Sequence, residues 1–111
     1  MGKIQLSEIV WESQKLKTNF YELENTDPIL FKQINSALDE IENNAFCSIQ
    51  VPKKLIPKKW QTYSNLWKYD LPKGWRLLYT VAPPDQPGKV LVLAIILEWM
   101  SHKEYERLFG Y

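Results

Sequence analysis

Residues 65–81 read NLWKYDLPKGWRLLYTV, two alternating runs on either side of the link Pro72-Lys73-Gly74. Alternation at period two is the mark of a half-buried strand, and a short link holding proline and glycine joins antiparallel neighbours. The stretch is therefore predicted to be a hairpin. If the link sets the register, Asp70 faces Arg76, Lys68 faces Leu78 and Trp67 faces Tyr79. Successive strand residues point to opposite faces, so this register sorts the side chains. Trp67, Tyr69, Leu71, Trp75, Leu77, Tyr79 and Val81 share one apolar face; Leu66, Lys68, Asp70, Arg76, Leu78 and Thr80 share a more polar, open one.

Towards the C-terminus, the link APPDQPG leads to KVLVLAIILEWM, residues 89–100, a third strand and so a meander. It is apolar at nearly every position, as expected of a central strand covered on both sides. Ser101 and Glu104 then form S-x-x-E, a capping box that starts a short helix. Tyr105, Leu108 and Phe109 recur at helical spacing and can pack back on the sheet, and Gly110 is placed to end the helix. His102 falls in the first turn, at the junction of strand and helix. Its plain alternative is an exposed residue without a task.

Towards the N-terminus, SEIVWESQKLKTNFYELE (residues 7–24) is predicted as a helix with Ile9, Trp11, Leu16, Phe20 and Leu23 on its apolar side, although the approach KIQL suits a short strand. In the next helix Asp27 is the cap, Pro28 fits the first turn, and Leu30, Ile34, Leu38 and Ile41 make the apolar stripe. The connector AFCSIQVPKKLIPKKWQTYS holds Pro52 and Pro57, which argue against long regular structure. Two helices on one face of an antiparallel sheet give a two-layer α+β fold: an N-terminal helical hairpin, a small antiparallel sheet and a short C-terminal helix.

The chain of 111 residues suits one domain, spanning residues 1–111, with a single modest core. Its 45% hydrophobic and 24% charged residues are those of a packed protein rather than a disordered one. Cys47 has no partner for an intramolecular disulfide, and one histidine with one cysteine makes no zinc cluster, so neither metal nor cystine is expected to hold the fold; no cofactor is expected either. The start MGKIQLSEIV lacks the apolar region of a signal peptide, and no run approaches the roughly 20 apolar residues of a membrane span. A cytoplasmic protein without a membrane partner is the expectation. Charge is uneven: residues 1–49 carry four basic and eight acidic side chains, residues 50–111 ten and five. The second half is the candidate surface for a polyanion, against the alternative of a solvated, unevenly mixed surface.

NLWKYDLPKGWRLLYTV, the apolar last strand and EWMSHKEYERLFGY together resemble the RelE/ParE-type toxin superfamily, in particular its archaeal-type members. The H-x-x-Y of His102 and Tyr105 is similar to one that HigB-type toxins carry after the last strand. The likeness covers the order of elements, most closely from Lys53 to Tyr111. It implies a RelE-like fold and an mRNA interferase: a toxin of a toxin-antitoxin pair that cuts mRNA without a metal, on the ribosome, and is held inactive by a protein antitoxin.

Such cleavage needs a base near the 2′-hydroxyl, cations on the phosphate oxygens and an acid for the departing 5′-oxygen. The resemblance implies catalytic roles for His102, Arg76 and Tyr111, and RNA contacts for Lys53, Lys54, Lys58, Lys59, Lys68 and Lys103. Histidine is the side chain whose ordinary pKa lies near neutrality, and arginine can hold a phosphate bidentately. Arg76 has the alternative of a cross-strand ion pair with Asp70, and the connector lysines that of a solvated loop. Trp60, Tyr63 and Trp67 suit either base stacking or the core. The chain departs from its likeness in two ways. It is near neutral where many such nucleases are strongly basic, and no Asp or Glu lies between Asn43 and Lys68, where some YoeB-like enzymes place a glutamate base. A ParE-like topoisomerase inhibitor and a non-catalytic binding module of the same fold are the rival expectations.

Overall fold

The computed structural model describes residues 4–110. In chain order it has strand β1 (Ser7–Trp11), helices α1 (Gln14–Thr26) and α2 (Pro28–Asn43), the short strand β2 (Ile49–Gln50), 3-10 turns at Lys53–Leu55 and Lys58–Trp60, strand β3 (Trp67–Asp70), a 3-10 turn at Pro72–Gly74, strands β4 (Arg76–Ala82) and β5 (Val92–Met100), and helix α3 (His102–Phe109). The fold is α+β, with the five strands in the order β1-β5-β4-β3-β2.

The hairpin has the register its link dictates. Trp67 stands opposite Tyr79, Lys68 opposite Leu78 and Asp70 opposite Arg76. Lys73 (φ 60) and Gly74 (φ 80) turn the chain through the left-handed region, and Leu71 N donates to Trp75 O at 2.7 Å. Helix α2 also forms as its pattern requires: Asp27 accepts from Leu30 N at 3.2 Å, and Leu30, Ile34, Ala37, Leu38 and Ile41 are buried.

Two expectations need correction. The helix expected over residues 7–24 is a strand over its first five residues, and helix α1 starts only after Ser13, whose side chain accepts from Leu16 N at 3.1 Å. Strand β1 pairs in parallel with β5, Ile9 beside Ala94 and Trp11 beside Ile96, so the sheet is mixed rather than antiparallel throughout. Five residues are too few to separate period two from a helical period. The deciding term is non-local: the free edge of buried β5 must be hydrogen bonded, and β1 supplies the partner. Ser7 fastens this strand from the other side by donating to Ile41 O at 2.7 Å. Ile9, Trp11, Leu16, Phe20 and Leu23 all still reach one core, through two elements instead of one. Residues 4–6 of the KIQL approach form no regular element.

The second correction concerns the face expected to be open. Helices α1 and α2 cover one side of the sheet, over Leu77, Tyr79, Ala94 and Ile96. On the other side Leu66, Leu78, Leu97 and Met100 form a second cluster, closed by Val51, Ile56 and Trp60 of the connector and Tyr105 of α3. Pro52 and Pro57 each open one of the connector's 3-10 turns, which aim Ile56 and Trp60 inward. The expected short C-terminal helix is present, but a two-layer description omits the connector turns that join it as a third layer.

A bulge makes both clusters possible. Leu78 stands opposite Glu98 but Tyr79 opposite Ile96, which leaves Leu97 as the extra residue. Ala94 and Ile96 face the helices before it, and Trp99 does so after it. Without the shift Glu98 would follow Ala94 and Ile96 under the helices, and a carboxylate there would lack a partner. With it, Glu98 receives Lys59 Nζ at 3.2 Å on the connector side.

Candidate functional site

The site assembles where the hairpin turn meets the start of α3. Ser101 caps that helix: its Oγ accepts from Glu104 N at 3.3 Å, and Glu104 Oε1 accepts from Ser101 N at 3.3 Å. Gly110, at φ 76, ends it. Tyr105 turns inward from α3, is 5% exposed and stacks on Phe109 with ring centroids 4.3 Å apart. His102 is thereby fixed one residue after a capped end.

Gly74 brings the hairpin against this histidine. A Cβ built on Gly74 would lie 2.9 Å from His102 Cβ, closer than such atoms approach, and 3.9 Å from its Nδ1. The turn and the helix start can meet only because residue 74 has no side chain.

Arg76 is the first residue of β4, with its side chain 15% exposed. A guanidinium so enclosed needs partners. Its Nη1 donates to Gly74 O at 2.6 Å, its Nε lies 3.0 Å from Asp70 Oδ1 without the alignment of a hydrogen bond, and its plane sits 5.1 Å from the Tyr105 ring centre. The cross-strand ion pair considered as the alternative for Arg76 is thus present. Lys68, two residues from Asp70 on the same face, lies 3.6 Å from that carboxylate and 5.3 Å from the Tyr105 ring centre. His102 Nε2 contacts Glu106 Oε1 one helical turn on.

Lys68, Arg76, His102, Tyr105 and Glu106 line one shallow cavity of about 470 Å³. Of the residues singled out in the sequence, His102, Arg76 and Lys68 come together here. Lys53, Lys54 and Lys58 are exposed on the connector and Lys103 on α3, outside the lining of this cavity. Lys59 is engaged elsewhere, by Glu98 and at 4.7 Å over the Trp60 ring, beside a second cavity of about 400 Å³. Tyr111 lies outside the described residues. Trp60 is buried in the connector-side core, and Tyr63 and Trp67, partly buried, pack against the connector-side and helix-side cores.

Sequence reasoning missed Glu106 and Gly74. The i, i+4 spacing of His102 and Glu106 was a usable signal for the first. None existed for the second, because the approach of turn to helix is a tertiary fact. Tyr105 was read as an anchor, and it is also the floor on which the two cations rest.

Chemically the cavity offers two cations for an anionic group and an imidazole beside them, with Asp70 and Glu106 offsetting part of the charge. Among the described residues no three His, Cys, Asp or Glu side chains stand together as a metal site, and no helix is long and apolar enough to cross a membrane. No family model, no curated protein and no solved structure matches this chain.

Proposed function

We propose that the chain is a RelE-like toxin of a toxin-antitoxin pair, a metal-independent endoribonuclease that cuts mRNA on the ribosome in the cytoplasm. One observation carries the reading: His102 of the C-terminal helix lines a single cavity with Lys68 and Arg76 of the hairpin. Arg76 is held by the Gly74 carbonyl and Asp70, so its charge is fixed before any substrate arrives. A phosphodiester between Arg76 and Lys68 has its developing negative charge met by both cations. His102 is then the group beside it that takes the 2′-hydroxyl proton. The 2′-oxygen attacks phosphorus, the bond to the 5′-oxygen breaks, and a protonated group or water returns a proton to the departing oxygen. An antitoxin that covers this cavity with acidic side chains would exclude RNA and satisfy Lys68 and Arg76 at once.

His102→Ala should abolish growth arrest and lower RNA cleavage by roughly 10²–10⁴ while leaving the folded state intact, as seen in single-turnover assays and circular dichroism. Arg76→Ala should weaken RNA binding as well as cleavage. Full toxicity of the histidine variant would sink the nuclease reading in favour of a ParE-like inhibitor. One observation favours a non-catalytic module of the same fold: Asp70 lies within ion-pair distance of both Lys68 and Arg76 and cancels part of their charge. RNA binding by the parent chain without cleavage would select it.

A further inference from the structure

We propose that Glu106 is the positioning residue of His102, fixing the neutral imidazole as its Nε2–H tautomer and so making Nδ1 the nitrogen that acts on substrate. The contact is between His102 Nε2 and Glu106 Oε1. A carboxylate only accepts hydrogen bonds, so the ring nitrogen facing it must carry the hydrogen. The lone pair of the neutral ring is then on Nδ1. That nitrogen is turned towards Gly74, lying 3.9 Å from where a Cβ there would stand, and the Gly74 carbonyl is the one that holds Arg76. Nδ1 is thus the ring nitrogen on the side of the turn whose carbonyl holds the cation. The two nitrogens of a histidine are distinct, and the hydrogen bond made by one decides the work of the other.

The proton count closes. Neutral His102 donates a hydrogen bond from Nε2–H to Glu106 and accepts the hydroxyl proton at Nδ1, becoming an imidazolium whose charge faces the Glu106 carboxylate. That proton leaves again from Nδ1, to the departing 5′-oxygen or to water, and Glu106 neither gains nor loses one. Both residues stand on α3, one turn apart, so the helix itself sets their geometry. Glu106 touches no reacting atom in this scheme.

The catalytic consequence rests on the nuclease reading, whereas the tautomer does not, and the test separates them. His102 is the only histidine, so the chain labelled with ¹⁵N-histidine gives one pair of ring nitrogen signals. At a pH where the ring is neutral, the parent should show a protonated Nε2 and an unprotonated Nδ1, with little of the second tautomer. Glu106→Ala should relax towards the mixture shown by free histidine under the same conditions, and Glu106→Gln, which keeps a carbonyl acceptor, should restore the single form. Cleavage of a model RNA should fall on the order of ten- to a hundredfold in kcat in the alanine variant with KM little changed, and recover in part in the glutamine variant. An Nδ1–H ring in the parent, or equal tautomer populations in the parent and Glu106→Ala, overturns the proposal even if RNA is cut. The expected tautomers in a protein that cuts no RNA uphold the positioning and overturn the nuclease reading alone.

Discussion

Tyr79 is wholly buried in the core beneath the helices, yet its hydroxyl has two partners. It donates to Ala45 O at 2.8 Å, and since its one hydrogen goes there, Ser48 Oγ donates to it at 2.6 Å. Burial pushes the phenol far above its ordinary value, and the hydrogen bond from Ser48 only partly opposes this. The folded state thus holds the proton more tightly than the unfolded chain does. Stability should be indifferent to this group below about pH 10 and fall above it, by up to about 1.4 kcal/mol per pH unit until the folded phenol ionises. Urea titrations between pH 8 and 11 should show that fall in the parent and a smaller one in Tyr79→Phe. At neutral pH the phenylalanine variant should be less stable by about 1–3 kcal/mol, because the Ala45 carbonyl and the Ser48 hydroxyl lose their partner.

At the scale of the element, α3 is too short to stand alone. Its eight residues depend on the Ser101–Glu104 box and on Tyr105, Leu108 and Phe109 packing into the connector-side cluster. Ser101→Ala should cost about 0.5–2 kcal/mol, as a lower urea midpoint at unchanged slope. His102 follows the cap directly, so a frayed start also loosens the proposed base; RNA cleavage should drop in the same variant. Parent-like stability would show that packing alone holds the helix. The box was legible because it is a local pattern, three residues apart. Strand β1 was not, because its hydrogen-bond partner lies more than eighty residues away.

For the molecule as a whole, the decisive feature is one sheet with a core on each face. Leu77 and Tyr79 of β4 enter the helix-side core while Leu78, between them, enters the connector-side one. Neither cluster can come apart without disturbing the strand that both use. Ile34→Ala on the helix side and Leu78→Ala on the connector side should each cost about 2–5 kcal/mol. In both variants far-ultraviolet circular dichroism and tryptophan fluorescence should change in a single coincident transition. A separate early transition in Leu78→Ala would mean that the connector and α3 unfold independently of the sheet.

The sequence by itself determined what neighbouring residues decide among themselves. The hairpin register follows from a three-residue link and strict alternation, α2 from its cap and stripe, and the start of α3 from S-x-x-E. Alternation, with the register set by the link, placed Lys68 and Arg76 on one face. Tertiary structure decided what rests on partners distant in the chain: that Ser7 to Trp11 is a strand, that Leu97 is extra and turns Glu98 outward, and that the connector folds over the face expected to be open. It also separated the lysines. Lys68 stands on a strand whose register is local and reaches the cavity, whereas Lys53, Lys54 and Lys58 ride on a connector whose path is set by where Ile56 and Trp60 find a core. A strand residue's direction is set by its neighbours; a loop residue's is set by whatever the loop packs against.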